Sequence, residues 1–300
     1  MTRVRTMAGQ TLAGLASSLG TATRTVDCCD TTFRVRVDGW GAQHTADRAH
    51  DVALRLESQL DAFDQESAVS QLNETGHVEN AHVAAVVERA LAYRERTDGV
   101  FDVCRGRLEH SLKAYLRGDT GEPPDTVPST TTEAPATVDG DHVYTEVTLD
   151  LNGLAKGYIV DRVHEAADGL GRRAFVSGGG DMTPPPGVVE IESPWESERA
   201  LRHLDTDWAV ATTGGYRRRR DGYDHIYQPQ TGTVGSRHDL VTVLAARDCL
   251  EADALATALA AMPVEEALSL IDAWDGLEAF LVHDGVFHET EGFRAHVATT

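Results

Sequence analysis

The chain of 300 residues carries 48 acidic against 27 basic side chains, a net charge of −21, with 41% hydrophobic residues. That length buries a sizeable core as one large domain or two lobes, the apolar fraction is that of a soluble globule, and the charge excludes unaided nucleic-acid binding because two polyanions repel. Lys113 and Lys156 are the only lysines; acid excess with arginine in place of lysine reads as adaptation to high salt, and an anionic substrate then needs a metal or a local cluster of cations.

Residues 1–30 read as an N-terminal extension, helical or disordered. Arg3 and Arg5 are no twin-arginine pair, and the mild stretch Met7–Leu19 is broken by Gly, Gln, Thr and Ser. No run is long and apolar enough to span a bilayer. Cys28, Cys29, Cys104 and Cys249 form no CxxC pair and no zinc spacing. A reduced cytoplasm is therefore the expected setting, with export or membrane association as the alternative.

Thr32–Val37 alternates Phe33, Val35 and Val37 with polar residues, as a half-buried strand does. Thr45–Phe63 repeats apolar residues at helical spacing. A loop with Ser67 and Asn73 follows, then a second amphipathic helix, His82–Thr97, stopped at Asp98-Gly99. Arg107–Leu116 reads as a third helix. Gly118–Asp141 lacks large apolar residues and is rich in Pro, Thr, Asp and Glu, so it reads as a loop or flexible hairpin. His142–Asp150 is a predicted strand and Lys156–Leu170 a helix. Strand Ala174–Ser177 runs into Gly178-Gly179-Gly180-Asp181. Val188–Glu192, Trp208–Thr212, Asp224–Tyr227 and Asp239–Ala245 are further strands. Glu251–Met262 and Val264–Trp274 are helices, and Ala279–His283 with Val286–Thr290 closes a hairpin around Asp284-Gly285. The class is α+β, with short, mostly antiparallel strands in a roll-like arrangement flanked by helices. The predicted domain covers 31–290, with a tail at 291–300.

The stretch Leu149-Asp150-Leu151-Asn152-Gly153-Leu154-Ala155-Lys156-Gly157-Tyr158, left through Asp161, reads as strand, glycine turn and helix start. Gly153 and Gly157 allow close approach of backbone or ligand, and a helix start offers N–H groups to phosphate oxygens. Lys156 adds a flexible point charge, chemically unlike an arginine fork. The plain alternative is a surface lysine after a tight turn. Asp253 and Thr257 are four positions apart, on one helical face. A carboxylate and a hydroxyl there are hard ligands suited to Mg²⁺, or else a helix-start Asp and a Thr bonded to a backbone carbonyl.

Several motifs stand in one order: Gly99-Val100-Phe101-Asp102, the glycine turn with Asp161, Gly179-Gly180-Asp181, Ala211-Thr212-Thr213-Gly214, His225-Ile226-Tyr227-Gln228-Pro229-Gln230-Thr231-Gly232, and Ala252-Asp253-Ala254-Leu255-Ala256-Thr257-Ala258. Together they resemble the FAD:protein FMN transferase family, the ApbE-like flavin transferases, from about Phe33 to His288. The resemblance implies Mg²⁺-dependent cleavage of FAD at its pyrophosphate, transfer of FMN to a threonine hydroxyl of an acceptor protein, and release of AMP. It implies metal ligation by Asp253, Thr257 and a carbonyl of the glycine turn, Gly153 or its neighbour Ala155. Val100, Phe101, Asp102, Asp150, Lys156, Gly179, Thr213, Gly214, His225 and Ile226 would line the FAD site. Asp150 would orient the turn or bond the ligand's sugar or base. Lys156 would offset pyrophosphate charge or hold the turn, and His225 would be the general base toward the threonine hydroxyl.

The sequence departs from the family pattern at Val103-Cys104-Arg105-Gly106, where proline and Thr or Ser are usual, which leaves the adenosine-side contacts open. Gln228 stands where Asp is usual. Two other functions remain compatible with the residues: an FAD pyrophosphatase giving FMN and AMP, and a flavin-binding protein without catalysis.

Overall fold

A computed structural model of the chain describes residues 19–125, 136–196, 199–215 and 220–299. Its centre is an eight-stranded sheet in the order β1-β2-β6-β7-β10-β13-β14-β15. These strands are Leu19–Cys28, Thr31–Trp40, Arg172–Gly178, Asp181–Met182, Ala209–Thr213, Leu240–Ala245, Leu277–His283 and Val286–Glu289. Every neighbouring pair is antiparallel. The remaining strands form small sheets: β3 (His77–Glu79), β5 (His142–Thr145) and β4 (Ala136–Asp139) in one, β8 (Val189–Glu192) with β9 (Ala200–Leu204), and β11 (Tyr227–Gln228) with β12 (Thr233–Val234). The helices are α1 (Ala42–Leu60), α2 (Ala68–Thr75), α3 (Ala81–Arg96), α4 (Gly106–Arg117), α5 (Ala155–Ala167), α6 (Cys249–Leu259) and α7 (Val264–Asp272). The fold is α+β with antiparallel strands, as expected. Among the described residues no helix is long and apolar enough to cross a membrane.

Two cores explain the sequence pattern. In β2 the alternation of Phe33, Val35 and Val37 puts one face into the larger core, which α1, α5 and α6 cover. Strand β13 is buried at every position because both its faces are covered. Val241, Val243 and Ala245 join the larger core, while Leu240 and Leu244 pack with Ile191, Leu204, Phe280 and Phe293 in a smaller one. Thr242 is tolerated inside because its hydroxyl bonds that of Thr212 at 3.0 Å. Helix α6 is apolar nearly all round and correspondingly buried. Its charged residues, Glu251 and Asp253, are buried too, so each requires a partner.

The structure corrects several sequence expectations. Leu19–Cys28 is a strand in ten-residue register with β2, not part of a helical or disordered extension; residues 1–18 lie outside the described residues. Ala68–Thr75 is a helix where a loop was expected, N-capped by Ser67, which accepts from the Ser70 N–H, and ended by Gly76 in the left-handed conformation. Ala136–Asp139 is a strand inside the expected 118–141 loop, of which 126–135 lie outside the described residues. Strands β3 and β9 had no counterpart in the reading, and Asp224–Ile226 precedes β11 instead of belonging to it. Within the expected 291–300 tail, Glu291–His296 forms a 3₁₀ turn that buries Phe293 completely.

Candidate active site

A cleft of about 730 Å³ opens between the glycine turn before α5, the β6–β7 turn, the end of β10, α4 and the loop before β11. That volume is within the range of small-molecule sites. Of the fourteen residues named above for metal or FAD, thirteen line it, from Val100 to Thr257; Ala155, the alternative to Gly153, does not. Chain segments far apart in sequence therefore converge on one cleft.

The glycine turn is held from several sides. Asn73 of α2 bonds both backbone groups of Leu149, donating to the carbonyl at 2.9 Å and accepting from the N–H at 2.7 Å. The Asp150 N–H donates to the Val103 carbonyl at 2.9 Å. The Asp150 carboxylate then accepts the Asn152 N–H at 2.9 Å and the Lys113 ammonium at 2.5 Å. Asp150 thus orients the turn, and Lys113 of α4 neutralises it at the cleft wall.

Helices α5 and α6 meet where Gly157 lies. A Cβ on Gly157 would stand 2.6 Å from the Cys249 carbonyl oxygen and 2.9 Å from the Asp253 Cβ. Gly157 therefore serves helix packing and not ligand approach. One turn later, Asp161 accepts the Cys249 and Leu250 N–H groups, both at 2.9 Å, which satisfies two of the open donors at the α6 start. Burial pushes the Asp161 carboxyl up to about 7, against the pull of those two donors. Asp248 caps the same end through the Glu251 N–H at 2.9 Å and is itself clasped by Arg89 at 2.8 and 3.0 Å.

This clamp places Asp253. Its Oδ2 accepts the Gly157 N–H at 2.9 Å, and its Oδ1 lies 3.2 Å from Lys156 Nζ. Burial pushes Asp253 above the usual carboxylate range, opposed by Lys156 and the Gly157 N–H. Lys156 also pairs with fully buried Asp181. Lys156 is thus wedged between two carboxylates, with its side chain 21% exposed. Thr257, one turn after Asp253, donates to the Gly153 carbonyl at 3.3 Å. That partner belongs to another segment, not to the helix's own preceding turn. Gly153, Asp253 and Thr257 therefore offer a carbonyl, a carboxylate and a hydroxyl on one wall.

Other predicted residues turn out to serve the scaffold as well. Both Asp102 oxygens are engaged, by Arg94 and Arg105 at 3.0 Å each, with a further bond from the Cys104 N–H at 3.0 Å. Asp102 therefore anchors its loop as well as lining the cleft. Phe101 is 4% exposed and its ring lies 3.1 Å from where a Gly153 Cβ would be. Gly179 and Gly180 hold φ of +63° and +107°, conformations that favour glycine. A Cβ on them would meet Thr31 at 3.0 Å and the Thr212 carbonyl at 2.9 Å. Their close approach is to the protein.

His225 is half-buried and lines the same cleft. Its neighbour Asp224 is fully buried and accepts the Ile226 N–H at 2.9 Å and the Ser236 N–H at 2.9 Å. Those bonds close the loop on which His225 and Ile226 stand. The sequence reading passed over Asp224, Lys113, Arg105 and Glu109. Arg105 lies 5.3 Å from the Tyr227 ring, lines the cleft and keeps Nη1 buried with no hydrogen-bond partner among the described residues. Burial lifts Glu109 to about 7, with Lys113 and Arg105 opposing and Asp150 adding to the shift. Lys113 had a visible signal, being the other of two lysines.

The ApbE family profile matches residues 29–281. The chain belongs to the ApbE family. Among curated relatives it is 30% identical to the FAD:protein FMN transferase of Vibrio cholerae over 250 residues, 73% of each chain. It is 28% identical to the FAD:protein FMN transferase of Treponema pallidum over 268 residues, 74% of this chain and 72% of the relative. The crystal structure of the ApbE protein from Thermotoga maritima superposes with a TM-score of 0.80 at 25% identity, covering 93% of this chain and all of that one. The flavin transferase ApbE from Vibrio cholerae superposes at 0.74 and 23% identity, over 93% and 99% of the two chains. Residues 29–281 take in every member of the ApbE-like motif series and the whole cleft wall.

Proposed function

We propose that this chain is an FAD:protein FMN transferase that binds FAD in the cleft and passes FMN to a threonine hydroxyl of an acceptor protein, releasing AMP, with Mg²⁺ as its metal. One arrangement carries the reading. The Gly153 carbonyl, Thr257 hydroxyl and Asp253 carboxylate line one cleft with Lys156, Lys113, Arg105 and His225. The Vibrio cholerae and Treponema pallidum relatives bear the name of this activity.

The donor set fits Mg²⁺. All three donors are hard oxygens, two of them already 3.3 Å apart, and one carboxylate leaves positions for waters and phosphate oxygens. When bound, Mg²⁺ would offset charge on the pyrophosphate oxygens. The residues themselves supply the rest. Lys156, Lys113 and the Nη1 of Arg105 place cationic donors around an anionic ligand in a chain of net charge −21. His225 takes the proton of the threonine hydroxyl as its oxygen bonds phosphorus. The phosphorus–oxygen bond to the AMP side breaks, and AMP leaves with the bridging oxygen.

Incubation with FAD, Mg²⁺ and a threonine-containing acceptor in molar salt tests the reading. A fluorescent acceptor band with stoichiometric AMP is the expected result. Free FMN with AMP makes the protein a pyrophosphatase, and intact bound FAD makes it a flavin-binding protein.

A further inference from the structure

We propose that Cys28, Cys29 and Glu57 form a site for a thiophilic divalent cation, Zn²⁺ by its chemistry, with donors other than those of the Asp253 site, although Cys29 also lines the same cleft. The inference stands on the geometry of the β1–β2 turn. Consecutive residues in a strand point to opposite faces. Cys28 ends β1, but Cys29 and Asp30 both have φ of +56°, and this left-handed turn brings the second thiol round beside the first. The two sulfurs are 3.7 Å apart. Two thiolates on one tetrahedral zinc, each at about 2.3 Å, stand about 3.8 Å apart. A disulfide needs about 2.0 Å; the observed spacing is that of two free thiols in contact and is the one a shared metal would require.

The third donor comes from α1. Glu57 accepts the Cys29 N–H, which brings its carboxylate against the turn. The two sulfurs and a carboxylate oxygen of Glu57 all lie within 4.8 Å of one another, the one such trio of His, Cys, Asp or Glu donors among the described residues. Cys28 is 2% exposed. Cys29 and Glu57 are half-buried and line a cavity of about 490 Å³ that also reaches His225. The site therefore has an entry path and an open fourth position, for water or a small ligand.

Two thiolates with one carboxylate select a borderline-soft cation and reject Mg²⁺. The sequence spacing concealed this set, because an adjacent pair of cysteines resembles no zinc motif and Glu57 is remote in the chain. Binding would fasten the outermost hairpin of the main sheet to α1 and release the thiol protons.

The test uses the reduced, chelator-treated full chain titrated with Cd²⁺, read by the ultraviolet thiolate-to-cadmium band and by native mass spectrometry. One Cd²⁺ per chain is expected, displaced by Zn²⁺ and not by Mg²⁺. Cys29→Ser should abolish the band, Glu57→Gln should lower affinity while keeping it, and Cys104→Ser should change nothing. Alkylation mapping on the unmutated chain covers a variant that fails to fold: bound Cd²⁺ should shield the half-buried Cys29 and not Cys104. Absence of the band in the reduced chain, its survival in folded Cys29→Ser, displacement by Mg²⁺, or equal labelling with and without Cd²⁺ would overturn the proposal.

Discussion

Gly157→Ala isolates the contact on which the candidate active site depends. In an exposed helix interior this change stabilises by about 0.5–1 kcal/mol, because glycine has more backbone freedom to lose. Here the new Cβ would lie 2.6 Å from the Cys249 oxygen, 2.8 Å from the Leu250 Cα and 2.9 Å from the Asp253 Cβ, where ordinary contact begins at 3.4 Å. Helix α6 would have to retreat by about 0.8 Å, the difference between the closest of these and ordinary contact. Two of the three atoms are backbone, and the helix start is tethered to Asp161 and Asp248, so no flexible side chain absorbs the strain. Overpacking of this kind costs about 1–3 kcal/mol, which set against the propensity gain leaves a net loss of up to about 2.5 kcal/mol. The same retreat carries Asp253 away from the Gly153 carbonyl. A misplacement near 1 Å costs on the order of 10² in rate. Thermal melts in molar KCl should therefore fall by a few degrees, and AMP release from FAD at saturating Mg²⁺ by about two orders of magnitude. A variant at least as stable as the parent and equally active would show that the α5–α6 contact does not hold Asp253 in place.

Asp253→Ala should abolish AMP release in a folded protein, since Lys156 keeps Asp181 as counter-ion, and Thr257→Ala should be milder; activity near the parent level at subsaturating Mg²⁺ would remove Asp253 from the metal set. His225→Ala should bind FAD nearly as well, by flavin fluorescence titration, yet transfer FMN about 10²–10⁴-fold more slowly; affinity lost in step with rate would make His225 a ligand contact. The melting temperature should rise from low salt to molar KCl as the −21 charge is screened, and a flat response would count against the high-salt reading. His238 gives a pH dependence: burial holds it down at about 4, below its ordinary 6.5, so the unfolded chain binds the extra proton. That stabilisation is complete above pH 6.5 and is lost as pH falls toward 4, by about 3 kcal/mol at most. His238→Gln should lose less stability than the parent over that interval in urea titrations, and parallel losses would refute the assignment.

The strands that could be read were those with one buried face or two. Phe33, Val35 and Val37 alternate because β2 faces the core on one side, and the apolar run of β13 reflects cover on both. Strand β1 escaped because it is the edge of the sheet: Ala22, Val26 and Cys28 are its buried hydrophobic residues, and Thr, Arg and Asp fill most of the rest. Helix α2 carried both its signals, Ser67 before and Gly76 after. At eight residues, with Val69 and Leu72 buried, it showed too little periodicity to outweigh its polar composition.

The site was legible as residues and less so as roles. Motif order located the cleft wall, yet the two glycines at the centre of that motif act differently: Gly153 offers its carbonyl beside Thr257, whereas Gly157 lets two helices touch. Spacing alone cannot separate those uses, because both require only the absence of a Cβ. Lysine scarcity was the better guide, and its logic extends further than Lys156. Each lysine of this chain ends against buried aspartate on the same cleft, Lys156 between Asp181 and Asp253, and Lys113 on Asp150. The aspartates fix the turn and the helix that bear the oxygen donors. A compact ammonium fits between two converging carboxylates where a planar guanidinium fork presents its donors along fixed directions. In a protein whose other cations are all arginine, the lysines thus mark the places where charge must be neutralised in a confined space, and both places are walls of the same cleft.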